Sequence, residues 1–396
     1  MATNKEQNKL NVPHLRFPEF HGEWCVSTIG EQFDLYSGNT PSRLNKEHFE
    51  GNVNWITSGE LKEHYISDTK EKISEDAATA NNLKLLHPGT FVIAIYGLEA
   101  DGVRGTGSIT CKESTISQAC MAFTQKGDVK NEFLYSWYKK HGNIIGIKYA
   151  QGTKQQNLSY DILEKFHIAY PSQDEQDKLI KFISLLDERI ASQSKLIEKL
   201  ESLIKGIVDC TILRKEKNAI VGDVCSISEQ IRAEANIDDI ITVRLHGNGV
   251  CKSSAENLQL GATQYYRRRA GQLIYGKQNF HNGAIGIVPI SLDNGITSKD
   301  IPSFDIDEMK CNSVYLLAQL QSPQYYKPAE ALTTGTGSKR LKEEAFLKLP
   351  IVLPNKREQD NIAVLIHRAS MNLDHAKRLL ELLSIQKQFL LRQMFI

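Results

Sequence analysis

The second half of this chain repeats the first at an offset of 183 residues, and this duplication limits the possible folds more than any other feature. Residues 152–177 read GTKQQNLSYDILEKFHIAYPSQDEQD, and residues 335–360 read GTGSKRLKEEAFLKLPIVLPNKREQD. The two segments align without a gap, and both end in the triplet Glu-Gln-Asp. Solenoid proteins stack at least ~3 short repeats, whereas each copy here has roughly 190 residues. The sequence therefore predicts a pseudo-two-fold duplicated chain.

Each copy begins with a globular part. Short runs of β-branched and aromatic residues, such as residues 90–96, 272–275 and 284–288, alternate with Gly, Asn and Asp. This pattern is typical of short strands joined by turns, and residues 131–141 add a helical segment. The sequence predicts two globular domains of α/β type within an α+β chain.

Each copy ends in a long helix. Proline is absent from residues 173–213 and 356–396. Ser172 and Asn355 are N-cap candidates, because a glutamate follows each of them at the spacing of a capping box. At ~1.5 Å per residue, about 40 residues of helix extend ~60 Å, which suits a spacer. The predicted boundaries are residues 1–171 for the first globular domain, 172–213 for the central helix, 214–354 for the second globular domain and 355–396 for the C-terminal helix.

Both predicted helices carry apolar residues at heptad spacing. Two heptad positions are apolar over about four heptads, with Gln193 and Lys387 as the polar exceptions. A seam of this length predicts a coiled coil. Two ordinary amphipathic helices packed on the globular domains are the alternative. The predicted seam residues are Ile183, Leu186, Ile190, Ile197, Leu200, Ile204, Ile366, Leu373, Leu380 and Leu383.

The sequence contains no motif of a known catalytic site. The phosphate-binding loop, the dinucleotide-binding G-x-G-x-x-G, the G-x-S-x-G elbow and H-E-x-x-H are absent. The seven cysteines form no C-x-x-C pair, so we interpret them as reduced thiols rather than disulfides or metal ligands. The chain is therefore predicted to be non-catalytic. A nuclease that uses Asp68 and Lys70 is the alternative.

The overall charge restricts how the chain interacts with other molecules. The net charge at pH 7 is only +1, so the chain lacks the basic surface of a protein that binds nucleic acid by charge alone. No apolar run reaches the ~18 residues of a membrane span, and the first residues lack the apolar region of a secretory signal. These features predict a cytoplasmic protein. If it binds DNA, other components must supply much of the phosphate contact.

Two polar clusters in the second copy have residue types that read DNA bases. Residues 264–269 place two tyrosines beside three arginines, and arginine donates two hydrogen bonds to guanine or phosphate. Residues 276–283 carry glutamine and asparagine, which pair with adenine. A solvated basic face and a polar turn are the respective alternatives. The equivalent loop of the first copy, residues 96–105, has different polar residues. The predicted DNA-contacting residues are Arg104, Lys154, Gln155, Tyr265, Tyr266, Arg267, Arg268, Arg269, Lys277, Gln278, Asn279, Lys339 and Arg340.

The order of globular part, helix, globular part and helix resembles the specificity subunit of a type I restriction–modification system, over nearly the whole chain. The resemblance depends on this order, on the duplication and on the pattern P-x3-E-Q-D at residues 171–177 and 354–360. The opening residues 11–20, NVPHLRFPEF, are similar to starts that are common in this family.

The resemblance implies that the two globular domains are target recognition domains, each of which reads half of a bipartite, asymmetric site in double-stranded DNA. It implies that the two helices pair antiparallel, set the distance between the half-sites and dock two modification subunits. S-adenosylmethionine would belong to those methyltransferase subunits, and ATP and Mg to the restriction subunits, so this chain would need no cofactor of its own. A DNA-binding or architectural protein that acts alone is the alternative.

Overall fold

The computed structural model describes residues 11–100, 102–152, 156–253, 263–335 and 339–396. The chain divides into two compact units. The first unit contains the residues up to Ser192 together with Leu380–Ile396, and the second contains Gln193–Leu379. Each unit therefore unites one globular part with a segment of each long helix.

The first unit is built on a five-stranded sheet. Its strands are β1 (Cys25–Thr28), β2 (Phe33–Ser37), β3 (Val53–Ile56), β4 (Tyr65–Ile66), β5 (Lys72–Ile73), β6 (Phe91–Ala94), β7 (Gly107–Thr110), β8 (Ser114–Ile116), β9 (Cys120–Gln125) and β10 (His167–Tyr170). The main sheet has the order β2-β9-β6-β7-β4, and β5-β3-β8 and β1-β10 form separate small sheets. Both β6 and β7 are buried along their whole length, as their apolar and small side chains allow.

The helices of the first unit cover this sheet and lead to the central helix. They are α1 (Ile29–Gln32), α2 (Glu75–Ala80), α3 (Asn131–Tyr149), α4 (Tyr160–Glu164) and the start of α5 (Gln173–Val208). The longest of them within the globular part, α3, packs on β6, β7 and β9. The core joins Phe91 and Phe133 to Phe395 near the C-terminus. The end of the chain is thus part of the first unit.

The second unit repeats this design with shorter strands. Its strands are β11 (Ala219–Ile220), β12 (Cys225–Ile227), β13 (Arg232–Ala233), β14 (Ile241–Val243), β15 (Val250–Lys252), β16 (Tyr265–Arg267), β17 (Leu273–Tyr275), β18 (Ile285–Ile287), β19 (Ile296–Ser298), β20 (Ser303–Ile306) and β21 (Pro350–Ile351). Its helices are α6 (Ser313–Leu320), α7 (Pro323–Tyr326), α8 (Glu343–Leu347) and most of α9 (Lys356–Met394). In its core the ring of Phe346 packs against Tyr275 and Phe304, with centroids 4.5 and 4.8 Å away.

The strand order confirms the duplication. The order β2-β9-β6-β7 in the first unit recurs as β12-β20-β17-β18 in the second, and all these pairs are antiparallel. The small sheet β1-β10 likewise recurs as β11-β21. The predicted α+β class and pseudo-two-fold arrangement are therefore confirmed.

A short turn at the start of each globular part is also shared. Glu31 accepts the backbone N–H of Thr28 at 2.9 Å, and Asp223 accepts that of Ile220 at 2.9 Å. In the first turn, Gly30 lies between Thr28 and Glu31 and so close to α4 that an added Cβ would meet Glu164 Cγ at 2.4 Å. The sequence Gly-Glu or Gly-Asp at this turn thus has a steric and a hydrogen-bonding reason.

The two long helices begin close to the predicted residues. Helix α5 continues beyond Val208 as a π-helical turn, Asp209–Leu213. Asn355 caps α9 as predicted, since its Oδ1 accepts the backbone N–H of Glu358 at 3.0 Å. The second bond of the predicted capping box, from the glutamate carboxylate back to the N-cap backbone N–H, is wrong in both copies. The carboxylate of Glu175 instead binds Arg16, and that of Glu358 binds Lys215.

Within each unit the helix segments run antiparallel. In the first unit, Leu179 and Ile183 near the start of α5 share a core with Leu390 near the end of α9. In the second unit, Val208 at the end of α5 shares a core with Ile362 near the start of α9. All the predicted seam residues occupy buried or half-buried positions: Ile183, Leu186, Ile190, Ile197, Leu200, Ile204, Ile366, Leu373, Leu380 and Leu383. No helix in the described residues is long and apolar enough to cross a membrane.

Candidate nucleic-acid interface

In the second unit, two loops that carry predicted DNA-contacting residues pack side by side. The strand loop (residues 276–279) follows β17, and the closed loop, described at residues 334–335 and 339–340, precedes α8. Thr334 and Arg340 close the latter by exchanging backbone hydrogen bonds of 3.0 and 2.9 Å. The carbonyl of Lys277 accepts the N–H of Leu341 at 2.9 Å, and the hydroxyl of Tyr275 donates to the Leu341 carbonyl at 3.1 Å. The two loops therefore form one surface.

The first unit contains the same pair of loops. Its strand loop, described at residues 95–100 and 102–105, follows β6. Its closed loop is described at residues 151–152 and 156–157, and two backbone hydrogen bonds of 2.9 Å join Gln151 to Asn157. The N–H of Leu98 donates to the Gln156 carbonyl at 3.1 Å. The predicted contact residues Lys154 and Gln155 lie outside the described residues.

Each closed loop begins with a glycine that the backbone requires. Gly152 has φ 109° and Gly335 has φ 126°, a conformation that residues with a Cβ rarely adopt. The glycine shared by the start of both loops thus has a conformational cause. The two units thus share the backbone hydrogen bonds that close the loop and the glycine at its start, whereas the polar side chains of the loops differ.

In the second unit, acidic neighbours hold several of the predicted cations. The ammonium of Lys277 lies 2.6 Å from Glu343, and only 12% of its side chain is exposed, which makes Lys277 a poor candidate for DNA contact. Arg340 Nη2 lies 3.2 Å from Asp300, and Lys339 Nζ lies 3.3 Å from Glu330. These last two pairs are solvent-exposed and therefore weak enough to exchange for phosphate or bases.

Gln278 and Asn279 are exposed on the strand loop. Asn279 Oδ1 accepts from the Asn282 side chain at 3.2 Å, which orients the amide group with its NH2 free of that contact. Both residues keep the donors and acceptors that adenine recognition needs. They stay candidates for base contact.

Arg268 does not lie on a surface, and its predicted contact with DNA is wrong. Its side chain is 0% exposed, and burial lowers its pKa to about 10, so it stays protonated at neutral pH. The guanidinium donates to Thr297 Oγ1 at 2.8 Å, Ser303 Oγ at 2.9 Å and the Ile301 carbonyl at 3.0 Å. These partners flank Asp300, the residue that pairs with Arg340. Arg268 therefore stabilises, from inside the domain, the turn that carries Asp300.

The neighbours of Arg268 differ in how far they are exposed. Tyr265 is buried at 7% exposure and packs with Ile240 and Ile296, so its predicted DNA contact is also wrong. Tyr266 is half-buried, whereas Arg267 and Arg269 are exposed. Exposure rises along β16 from Tyr265 to Arg267, and Arg268 follows the strand and turns inward, so only part of this cluster reaches solvent.

In the first unit, Arg104 joins the two loops. Its Nη2 donates to Gln156 Oε1 at 2.7 Å, and Glu99 accepts the backbone N–H of Gln156 at 2.8 Å. Sequence reasoning missed Gln156, Glu99 and Asp300, because the partners that place them at the loops are distant in sequence.

Asp68 does not form a nuclease site with Lys70. Asp68 lies 2.9 Å from Lys72 on an exposed surface, and the backbone N–H of Lys70 donates to Glu60 at 2.7 Å. Among the described residues, no group of three or more His, Cys, Asp or Glu side chains is arranged to hold a metal ion.

The outer face of α9 carries a stripe of exposed apolar residues. Leu382, Ile385 and Phe389 are 63, 56 and 56% exposed and recur at the spacing of one helix face. At an offset of 183, α5 has Lys199, Ser202 and Gly206. Exposed apolar stripes of this kind mark contacts with other proteins.

Comparisons with known proteins agree with this architecture. Residues 21–202 match the family model described as the type I restriction modification DNA specificity domain. The type I restriction enzyme MjaIX specificity subunit of Methanocaldococcus jannaschii is 28% identical over 46% of this chain and 42% of its own length. The MjaVIII specificity subunit of the same organism is 21% identical over 92% of this chain and 89% of its own length.

A solved structure has the same fold over almost the whole chain. The type I restriction–modification S subunit from M. genitalium superimposes with a TM-score of 0.65 at 16% identity, covering 97% of this chain and 99% of that one. The shared features are a duplicated α+β chain, a pair of neighbouring loops in each unit and antiparallel helix segments within each unit. Residues 21–202 therefore carry a type I restriction modification DNA specificity domain, and the chain is similar over most of its length to a specificity subunit of a type I restriction enzyme.

Proposed function

We propose that each globular part is a target recognition domain that reads one half of a bipartite, asymmetric site in double-stranded DNA. The observation that carries this proposal is the paired loop surface, which has the same backbone frame in both units and different side chains. Arg104 and Gln156 occupy it in the first unit, and Asn279, Lys339 and Arg340 in the second. Because bases are distinguished by their donors and acceptors, two different sets read two different sequences.

The long helices would set the distance between the half-sites. Helix α5 has 36 residues and α9 has 39, so at ~1.5 Å per residue each is about 55 Å long. Such a length exceeds the width of a small domain. Their seams of buried and half-buried apolar residues would make the pair a stiff spacer and so hold a fixed gap of unread base pairs.

The chain would act with other subunits. A net charge of +1 gives the chain little excess positive charge for the several phosphate contacts that duplex binding normally uses. Two modification subunits docked on the helices would supply those contacts together with S-adenosylmethionine, and restriction subunits would bring ATP and Mg. The exposed stripe of Leu382, Ile385 and Phe389 supports docking at α9. We expect this assembly in the cytoplasm.

The decisive experiment exchanges one domain. Residues 214–350 are replaced by the equivalent stretch of a relative, and adenine methylation is mapped by single-molecule sequencing in cells that co-express the modification subunits. We expect one half of the site to change and the other to stay intact. The reciprocal exchange of residues 25–170 serves as the matched control and should change the opposite half. Methylation in which both halves change after either exchange would contradict the proposal.

A second measurement distinguishes a subunit that needs modification subunits for specific binding from a DNA-binding protein that acts alone. The isolated chain is titrated with duplex DNA that contains the mapped site, with and without the modification subunits. We expect weak, non-specific binding without them and site-specific binding with them. Tight, specific binding by the isolated chain at physiological salt would favour the protein that acts alone.

A further inference from the structure

One glutamine joins α5 to the globular part of the first unit. Gln176 lies in the first turn of α5 and is 0% exposed. Its side-chain NH2 donates to the carbonyls of Pro171 and Asp128 at 3.0 and 3.1 Å, and its Oε1 accepts the backbone N–H of Lys130 at 2.9 Å. The amide thus bonds the strand end before α5 to the loop before α3.

The matching glutamine of the second unit makes the same bonds. Gln359 is 1% exposed in the first turn of α9. Its NH2 donates to the carbonyls of Pro354 and Lys310 at 2.8 and 3.1 Å, and its Oε1 accepts the N–H of Asn312 at 2.9 Å. The three hydrogen bonds of Gln176 therefore recur at Gln359, to backbone groups at an offset of 182 or 183 residues. The residue types of the two bonded loops differ.

The acidic neighbours of each glutamine strengthen the same joint. Asp177 forms an ion pair with Lys130, and Asp360 accepts from the Asn312 side chain at 2.8 Å. The glutamate that precedes each glutamine binds the segment that leads into the globular part. Glu175 pairs with Arg16, and Glu358 pairs with Lys215. The repeated triplet Glu-Gln-Asp is thus a three-point attachment of each helix to its own globular part.

A short rigid path leads from this attachment to the loops. In the first unit, the loop bonded by Gln176 starts α3, α3 packs on β6, and β6 leads directly to the strand loop. In the second unit, the loop bonded by Gln359 starts α6, which packs on β18 next to β17. A change at the glutamine is therefore passed to the loops through packed secondary structure.

We propose that Gln176 and Gln359 are positioning residues that fix the angle between each helix and its recognition loops, and thereby the spacer length that the protein accepts. This inference rests on the proposed function. A side-chain amide suits the role because it offers two donors for two carbonyls and one acceptor for one N–H, all within a buried site. No apolar side chain of the same size bonds these three backbone groups.

The test measures preference for spacer length rather than activity alone. Gln176→Met and Gln359→Met keep the size and helix propensity of the side chain and remove its hydrogen bonds. Each variant is assembled with the modification subunits, and methylation rates are compared on duplexes with the natural spacer and with spacers one base pair longer or shorter. We expect the preference for the natural spacer to fall about tenfold, since small misplacements of a reactive geometry cost rate steeply.

Controls distinguish positioning from general destabilisation. Lys181→Met and Asn361→Met change exposed residues of the same helices and should leave the spacer preference unchanged. If a methionine variant does not fold, Gln176→Glu and Gln359→Glu keep the acceptor for Lys130 and Asn312 and take its place. A variant that slows methylation equally on all spacers would overturn the positioning role. A wild-type complex that methylates no bipartite site would instead refute the proposed function.

Discussion

The imidazole ring of His64 lies parallel to the phenol ring of Tyr135, with 3.9 Å between the ring centroids. Its Nε2 is 2.8 Å from Glu132 Oε2 on α3, and its Nδ1 is 3.5 Å from Asp187 Oδ2 on α5. Lys387 of α9 also pairs with Asp187. His64 therefore links the globular part of the first unit to α5, and Asp187 extends the cluster to α9.

This arrangement predicts a pH-dependent stability. Burial by itself lowers the pKa of His64, but hydrogen bonds to Asp187 and Glu132 and their charges outweigh burial, so the pKa is raised above the ordinary value of 6.5. The stabilisation is complete below the unfolded pKa and is lost as pH rises through the raised folded pKa. We expect His64→Gln to lower the free energy of unfolding by about 1–3 kcal/mol at pH ~5.5 and by less at pH ~7.5.

Urea denaturation at several pH values measures this difference. Lys139, which lies near the same cluster, has its pKa lowered to about 8 by burial and by Lys387, so it titrates largely above this range. His87→Gln is the control, because the His87 side chain is 84% exposed. Equal losses for His64→Gln at both pH values would contradict the prediction.

Adjacent arginines of the second unit should have opposite phenotypes. Arg268→Met removes the donor to Thr297 Oγ1 and Ser303 Oγ and one of the two donors to the Ile301 carbonyl, so we expect the free energy of unfolding to fall by about 1–3 kcal/mol. Arg269→Met changes an exposed side chain and should alter stability by less than about 0.5 kcal/mol. It should instead weaken DNA binding by the assembled complex. Chemical denaturation and DNA titration of both variants test this, and similar stability of the two would show that Arg268 has no internal role.

The cluster at residues 264–269 shows where prediction from sequence stops. Residue types alone predict cationic and aromatic side chains, but they do not tell which arginine faces inward. Arg268 is held by Thr297 and Ser303, which follow 29 and 35 residues later in the chain. A local sequence pattern contains no information about such distant partners. The same holds for Glu175, whose predicted capping bond yields to Arg16 at a separation of 159 residues.

The helices and the duplication were predictable because their signals are local or repeated. The heptad seams and the start of α9 at Asn355 follow from spacing within a few turns. Strand order does not, since β2 pairs with β9 through contacts such as Phe33 with Gln125. In the candidate site, Arg104, Asn279, Lys339 and Arg340 were predicted from residue type, and their contact with DNA stays a prediction. Their partners Gln156 and Asp300 emerged only from the fold.

The apolar stripe on α9 predicts a loss of assembly without a loss of folding. Leu382→Ser, Ile385→Ser and Phe389→Ser together remove exposed apolar surface and leave the seam intact. If a modification subunit covers the stripe, each side chain contributes about 1 kcal/mol, so affinity should fall about 100-fold. Co-purification with tagged modification subunit measures the loss. A triple variant at the exposed polar residues Glu381, Gln386 and Gln388 is the control, and unchanged co-purification of the apolar variant would exclude docking at the stripe.

The last prediction concerns the helix pair as a spacer. Adding one heptad to each helix lengthens it by ~10 Å and keeps the seam facing its partner, whereas two extra residues rotate the seam out of register. Seven residues inserted after Lys195 and seven after Arg378 should therefore widen the unread spacer by up to ~3 base pairs, at ~3.4 Å per base pair. The half-site sequences should stay the same.

The two-residue insertion at the same points is the matched control, and it should abolish assembly because it turns residues such as Ile197 and Leu380 away from the seam. Both variants are co-expressed with the modification subunits, and methylated motifs are mapped in the host DNA. The expected result is one motif with the original half-sites and a longer gap. An active heptad variant with an unaltered gap would mean that the helices do not set the distance, since only the helix length differs between the two proteins.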